Sequence, residues 1–394
     1  MKKILALVLA LCMVFALCAC GQSAAPAATE APATDAAAEA PAAEETPAEE
    51  TAEVMVAMIT DYGDITDQSF NQTTYEACKE YCEANGLQFS YFKPASDSDE
   101  DRVAQIEAAI DEGYNVIVMP GYAFANAIKA TVNEYTDVTF IALDVGAADL
   151  GDDFTVPENL YCAVYQEELC GYMAGYAAVK LGYKSLGFLG GMAVPAVVRY
   201  GYGFVQGVDA AAAELGLTDV TVNYAYGNQF YGDADITAAM DTWYGAGTEV
   251  VFACGGGIYT SAAEAAAKVG GKVIGVDVDQ SGIIDGAYGE GMTVTSAMKG
   301  LAPTVKTELA AVVAGEFKGG VIDNLGLVSE NPEENFVQIP SASTQFEDGK
   351  FTAEDYTALV KSMLAGDVTV SNDVTKAASD FATVITLNDL GNLK

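Results

Sequence analysis

The 394-residue sequence contains no histidine, and its 18 lysines and arginines stand against 56 aspartates and glutamates. Without histidine, a histidine-based catalytic triad and an ordinary zinc site are both excluded. The net charge of −38 disfavours nucleic acid, an anionic membrane surface and strongly anionic ligands as partners. No catalytic constellation is visible, so we expect a binding protein that is not an enzyme and that needs neither cofactor nor metal.

The N-terminal residues 1–19 have the features of a secretion signal. Two lysines precede the apolar run 4–17, which is short for a membrane span. The sequence LCACG around Cys20 resembles a bacterial lipoprotein signal, in which Cys20 is acylated, for example with palmitate, and becomes the first mature residue. We therefore expect a lipid anchor on the extracytoplasmic face of the cell membrane; an ordinary secretion signal with a coincidental cysteine is the alternative.

Residues 21–53, which follow Cys20, are almost entirely alanine, proline, threonine, serine and acid, with eight acidic residues and no lysine or arginine. Such a segment has too little apolar bulk to offset the entropy of the chain. We expect residues 20–53 to form a disordered tether, a solvated spacer without a binding partner of its own.

Strand-like and helix-like segments alternate from residue 54 onward, which is typical of parallel sheets flanked by helices. One series covers about 54–150 and a second about 160–277. We expect the chain to return to the first lobe over about 278–320 and the C-terminal tail to pack mainly on the second lobe. The sequence thus predicts an α/β protein over 54–394 with two doubly wound parallel-sheet lobes and a ligand cleft between them.

The residues at the predicted strand ends are rich in acids, aromatic rings and glycine, and poor in lysine and arginine. In open α/β sheets, ligands bind outside the carboxyl ends of the strands. The turn 60–72 offers Asp61, Phe70 and Asn71, and the second series offers Phe230 and Asp277. Aromatic faces can sandwich a planar ring, and carboxylates accept hydrogen bonds from N–H and O–H groups. This composition favours a neutral ligand that contains a sugar or a base.

Other interpretations exist for single segments. The run GGGIYTSA from residue 255 lacks the Lys-Ser/Thr ending of a phosphate loop. Residues 277–285 resemble the first part of a calcium loop, but Tyr288 stands where the bidentate glutamate belongs. Asp144, at a strand end, is equally well explained as a helix cap.

Six motifs occur in a fixed order: TDYGDITDQSFNQ, MPGYAF, LGGMAVPAVVRYGYGFVQG, NYAYGNQFYGD, ACGGG and IGVDVDQSG. Together they resemble the basic membrane protein family of ABC-transporter substrate-binding lipoproteins, whose best-known members bind purine nucleosides. The resemblance covers about 54–299. It implies a type I periplasmic-binding-protein fold, a monomer with a nucleoside in the cleft, and an ABC permease and ATPase as partners.

The resemblance also implies a role for each matching residue near the base. Asp61 matches the acid that hydrogen-bonds the purine, and Asn71 matches the carboxamide beside it. Phe70 and Phe230 match the rings that stack on the base from opposite sides. Gly256, in the glycine run, is expected to let the backbone approach the ligand closely.

Near the sugar, Asp277 matches the acid that holds the ribose hydroxyls, and Lys299, in TSAMKG, matches the lysine that reaches the same sugar. Asp144 lies near a further family acid. Three alternatives remain open: a sugar or another small polar molecule as the ligand, a nucleoside hydrolase that gathers acids around the ribose, and a nucleoside-sensing surface lipoprotein that takes no part in transport.

Overall fold

A computed structural model describes residues 53–394. The expected signal peptide, the expected lipidation site Cys20 and the linker up to residue 52 lie outside the described residues. The strands are β1 Met55–Ile59, β2 Gln88–Phe92, β3 Val116–Pro120, β4 Thr139–Leu143, β5 Leu160–Tyr165, β6 Ser185–Gly190, β7 Thr221–Tyr226, β8 Val250–Cys254, β9 Lys272–Asp277, β10 Thr293–Lys299, β11 Val321–Leu325, β12 Val337–Gln338 and β13 Thr386–Asn392.

The helices lie between these strands. They are α1 Phe70–Asn85, α2 Asp99–Asp111, α3 Ala125–Thr131, α4 Ala147–Leu150, α5 Glu167–Leu181, α6 Pro195–Leu215, α7 Ala234–Gly245, α8 Tyr259–Val269, α9 Ser281–Tyr288, α10 Leu301–Ala314 and α11 Ala353–Ala365. Within residues 53–394, no helix is both long enough and apolar enough to cross a bilayer.

The strands form two sheets, which define the two lobes. The sheet of lobe one has the order β11-β5-β4-β3-β1-β2, and all its neighbours are parallel. The sheet of lobe two has the order β12-β10-β9-β8-β6-β7-β13 and is parallel except for the short strand β12. The predicted architecture of two doubly wound parallel sheets is therefore confirmed.

The core explains why the central strands are almost purely apolar. Strands β3 and β8 are buried along their whole length, and β1 from its second residue on, because helices cover both faces of each sheet. The five cysteines of the described region are buried free thiols. Cys78 and Cys82 lie on the core side of α1.

The chain crosses between the lobes at other places than the sequence predicted. The predicted second series from about 160 places Leu160–Tyr165 in lobe two, but this strand pairs with β4 and belongs to the sheet of lobe one. The predicted return over about 278–320 places Thr293–Lys299 in lobe one, but this strand pairs with β9 in lobe two. A strand pattern reveals the element but not its partner, because pairing depends on contacts far away in the chain. The crossings therefore follow β5, β10 and β11.

Candidate functional site

A cavity of about 390 Å³ lies between the two lobes. This volume falls in the range of roughly 300–1,000 Å³ that is common for small-molecule sites. All eight residues that the sequence singled out for the ligand line this one cavity: Asp61, Phe70, Asn71, Asp144, Phe230, Gly256, Asp277 and Lys299. The fold thus brings together side chains from segments that lie far apart in the sequence.

The start of helix α1 is organised by Asp67. Its carboxylate accepts hydrogen bonds from the backbone N–H groups of Ser69 (2.9 Å), Asn71 (2.9 Å) and Gln72 (3.0 Å). These bonds satisfy the free N–H groups at the helix start and fix Phe70 and Asn71 in the cavity wall. Asn71 Nδ2 also donates to Asp67 (3.2 Å), whereas Asn71 Oδ1 is buried without a partner in residues 53–394. A ligand donor would satisfy this acceptor.

Asp61 follows β1, and one of its carboxylate oxygens forms hydrogen bonds with the backbone of the same loop. Its Oδ1 accepts from the N–H groups of Tyr62 and Gly63, each at 2.6 Å. Burial raises the pKa of Asp61, although these two backbone bonds act in the opposite direction. A Cβ atom at Gly121 would lie 3.6 Å from Asp61 Oδ2, so the glycine leaves room around the second oxygen.

One aromatic ring comes from each lobe. Phe70 begins α1 in lobe one, and Phe230 precedes α7 in lobe two. The ring of Phe230 lies against backbone, because a Cβ at Gly191 would be 2.4 Å from its Cδ1 atom and a Cβ at Gly255 would be 2.9 Å away. Gly256, with φ of +52°, would place a Cβ 2.8 Å from the Phe230 carbonyl oxygen. Glycine at these positions lets the ring reach the cavity.

Another part of the cavity wall is a buried ionic cluster around Lys299. Its Nζ lies 2.5 Å from Asp144 Oδ2, 3.4 Å from Glu167 Oε1 and 3.8 Å from Asp277 Oδ1. The Nζ atom also lies 4.8 Å from the ring centre of Phe70. Burial acts to lower the pKa of Lys299, but the charges of the three acids outweigh this effect and raise it. The surrounding acids therefore favour the charged form of Lys299.

Asp144 and Asp277 occupy equivalent places in the two lobes. Asp144 directly follows β4, Asp277 ends β9, and both have left-handed backbones with φ of 57° and 64°. Asp144 Oδ1 is buried without a hydrogen-bond partner in the described part of the chain. Burial raises the pKa of Asp144 to about 6; Lys299 lowers it and the neighbouring Glu167 raises it.

Two hydrogen bonds join the lobes beside this cluster. Ser69 Oγ of lobe one donates to Asp277 Oδ2 of lobe two at 2.5 Å. Gln280 Nε2 donates to the carbonyl oxygen of Gln68 at 3.1 Å, and Gln68 has a left-handed backbone with φ of 56°. The first of these bonds links Asp277 of lobe two directly to lobe one.

Several residues of this site escaped the sequence reasoning. Asp67 and Ser69 lie inside the first motif, where their capping and bridging roles depend on the folded turn. Arg199, which lines the cavity, is one of only two arginines in the chain, and this rarity was an available signal. No feature of the sequence singles out Glu167, because an acid in the first turn of a helix is common.

Residues 53–394 contain no group of acids or cysteines arranged to hold a metal ion. In the segment that resembles a calcium loop, the carboxylates are already engaged. Asp279 accepts from the N–H of Ser281, and Asp285 accepts from the N–H groups of Gly291 and Thr293. These acids shape the local turn.

Comparison with known proteins gives the family. The model of the Bmp family, described as ABC transporter substrate-binding protein PnrA-like, matches residues 54–354. The chain belongs to this family.

Its relatives include the ABC transporter nucleoside-binding protein BmpA of Lactococcus lactis, which is 28% identical over 241 residues. These residues cover 58% of this chain and 65% of the relative. Basic membrane protein B of Borreliella burgdorferi is 28% identical over 246 residues, which cover 58% of this chain and 66% of that protein. The matches thus span slightly less than two thirds of these relatives.

Solved structures agree on the fold of this PnrA-like family member. A solute-binding protein of an ABC transporter system from Aeropyrum pernix K1 superposes with a TM-score of 0.62 at 20% identity, covering 84% of this chain and 90% of that one. A corresponding protein from Conexibacter woesei gives 0.61 at 22% identity, covering 81% and 99%. The type I fold of periplasmic solute-binding proteins is therefore shown.

Proposed function

We propose that this protein is a lipid-anchored extracytoplasmic receptor that captures a nucleoside, with a purine favoured, and delivers it to the permease and ATPase of an ABC importer. The observation that carries this proposal is that one cavity holds two sets of groups. Two aromatic rings from opposite lobes line it together with Asp61 and Asn71, and carboxylates surround Lys299, whose Nζ lies 4.8 Å from the ring centre of Phe70. A nucleoside has two matching parts, a planar base and a sugar with hydroxyls, so we name the first set the base end and the second set the sugar end.

At the base end, the rings of Phe70 and Phe230 stack on the two faces of the base. Stacking of a base on an aromatic ring contributes about 1–3 kcal/mol in nucleic-acid complexes. Asp61 Oδ2 and the unpaired Asn71 Oδ1 accept hydrogen bonds from ring N–H or amino groups. Flat ligands that carry such donors are therefore preferred.

At the sugar end, the hydroxyls donate to Asp144 Oδ1 and Asp277 and accept from Lys299. Asp144 Oδ1 is a buried acceptor without a protein partner in the described region, and leaving such an atom unpaired costs about 1–3 kcal/mol. A site of this kind rejects molecules that lack the matching hydroxyls. This requirement favours a nucleoside over a free base.

Family membership supports the receptor role, and the name of the Lactococcus relative supports the ligand class. The anchor on Cys20 and the monomeric state belong to the same proposal. Replacement of Cys20 by serine should release the protein from the detergent phase in Triton X-114 partitioning. Retention of the variant in that phase would contradict the anchor.

The ligand is tested by mass spectrometry of small molecules that co-purify with the full chain, followed by calorimetry with inosine, guanosine and adenosine. We expect a purine nucleoside in the purified protein and micromolar or tighter binding. Asp277→Asn should abolish the binding of the nucleoside measured by calorimetry, and the exposed control Asp64→Asn should preserve it. Binding of monosaccharides but not nucleosides would instead support the sugar alternative.

We also propose that binding occurs without turnover. Prolonged incubation with inosine should leave the nucleoside intact, and release of hypoxanthine and ribose would contradict it. A strain that lacks the gene should lose nucleoside uptake. Uptake at the normal rate would instead favour the sensing lipoprotein.

A further inference from the structure

Glu167 is a completely buried acid behind the sugar end of the cavity. It is 0% exposed and begins helix α5, directly after the crossing that follows β5. Its Oε2 accepts from Arg199 Nε at 2.6 Å, and its Oε1 lies 3.4 Å from Lys299 Nζ. Arg199 and Lys299 both line the cavity, whereas Glu167 does not. The acid therefore acts on a ligand only through its two cationic partners.

Lys299 and Arg199 can share one wall of the cavity because Glu167 lies between them. Lys299 is at the end of β10 and Arg199 is on α6, and like charges that share a buried site repel one another. Glu167 gives each cation one carboxylate oxygen, so both remain paired. A buried charge without a partner costs several kcal/mol, so the position of the lysine depends on its carboxylates.

The Lys299 ammonium has three donors, and three carboxylates surround it. Asp144 and Asp277 belong to the cavity wall and are shared with the ligand in the proposed function. Glu167 does not line the cavity, so a ligand does not contact it. It therefore remains paired with the Lys299 ammonium when Asp144 and Asp277 form hydrogen bonds with the ligand.

We propose that Glu167, paired with Arg199, is a positioning residue that fixes the Lys299 ammonium for the sugar of the bound nucleoside. This inference rests on the proposed function. It predicts that loss of the Glu167 charge weakens recognition of the sugar and leaves recognition of the base intact.

The test compares inosine with hypoxanthine, which is the same base without the sugar, by calorimetry on the full chain. Glu167→Gln should lower the affinity for inosine roughly 10-fold or more, the size of a lost charge-assisted hydrogen bond, and leave that for hypoxanthine unchanged. The ratio of the two affinities therefore falls. A merely structural defect would lower both affinities by the same factor and leave their ratio unchanged. An unchanged ratio, with or without a loss of affinity, would overturn the inference.

The adjacent residue offers a matched control. Glu168 is also buried, at 4% exposure, but makes no hydrogen bond to Lys299 or Arg199 within the described chain, and its Oε2 has no partner there. Burial raises the pKa of Glu168 to about 7, and Glu168→Gln makes the same chemical change as Glu167→Gln at a neighbouring buried position. Glu168→Gln should preserve the affinity ratio; a fall equal to that of Glu167→Gln would show that the effect is not specific to Glu167.

A measurement without ligand separates this inference from the proposed function. An ammonium group that is held by carboxylates and shielded from water exchanges its protons slowly, and it can then be observed by ¹H–¹⁵N NMR. We expect the Lys299 signal, assigned by its absence in Lys299→Met, in the wild type and in Glu168→Gln but not in Glu167→Gln. Persistence of the signal in Glu167→Gln would overturn the positioning role. Failure of the wild type to bind inosine would instead contradict the proposed function.

Discussion

The proposed base end of the cavity is built largely from one stretch of chain, whereas the proposed sugar end is assembled from several distant ones. Asp61, Phe70 and Asn71 lie within one turn and the helix start that follows it. Asp144 and Lys299 meet although 155 positions separate them. The first group takes shape with its own local structure, but the second exists only when both lobes are folded against each other.

The two ends also differ in electrostatics. At the base end, backbone N–H groups donate to Oδ1 of Asp61 and to both carboxylate oxygens of Asp67. At the sugar end, acids and cations satisfy each other in a buried cluster around Lys299. We therefore expect changes at the base end to weaken ligand binding alone, and changes at the sugar end to reduce both binding and stability.

The largest effect is expected from Lys299→Met. The substitution leaves Asp144 and Asp277 without this cation, whereas Glu167 keeps Arg199, and removal of one partner from a buried ion pair costs about 3–5 kcal/mol. Chemical denaturation should show this loss in the free energy of unfolding. Lys306→Met, which removes an exposed ion pair with Glu80, is the control and should leave stability unchanged. Equal stability of the two variants would contradict the contrast between the ends.

The next effect is expected from Phe230→Ala, which removes a stacking ring at the base end only. We expect a loss of about 1–3 kcal/mol, or roughly 5- to 150-fold in affinity, for inosine and hypoxanthine alike. Calorimetry measures both ligands, and Tyr91→Ala on the exposed edge strand β2 is the control. A loss confined to inosine would place Phe230 at the sugar, and the division of the cavity would be wrong.

The smallest effect is a pH dependence of the sugar end. Burial raises the pKa of Asp144 to about 6, so this carboxyl is ionised above that pH and protonated below it. Only the ionised form accepts freely from a sugar hydroxyl. The affinity ratio of inosine to hypoxanthine should be constant from pH 7 to 8 and fall about tenfold per unit well below pH 6.

Calorimetry between pH 5 and 8 tests this expectation, with Asp144→Asn as the control that should flatten the profile. Because the ratio compares two ligands at the same pH, titration of Asp61 at the shared base end cancels. A ratio that rises as the pH falls would contradict the proposed role of Asp144.

Local patterns predicted the elements of this fold better than their assembly. The alternation of strand-like and helix-like segments from residue 54 onward is observed; helix α1, for example, ends at Gly86, whose φ of 68° suits glycine. Strand β13 was not predicted, because most of its residues are exposed at the sheet edge and show no alternation of apolar and polar side chains. Strand β5 was assigned to the wrong lobe, because its apolar sequence suits either sheet.

The same limit applies to the site. Strand ends and motifs identified eight residues of one cavity, because in this fold the carboxyl ends of the strands in both lobes face the cleft. Glu167 and Ser69 were missed, because their roles depend on partners that are distant in sequence, Lys299 and Asp277. Bonds across the lobes have no local pattern that reveals them.

The left-handed backbones at Asp144 and Asp277 limit how the cavity can adapt to new ligands. Aspartate, asparagine and glycine adopt this conformation readily, whereas other residues incur strain of about 1–3 kcal/mol. Variation at these two positions is therefore confined to a small set of residues. Asp61 and Asn71 have no such restriction. In natural divergence or in the engineering of biosensors, we expect preference for the base to change readily and the requirement for a sugar to persist.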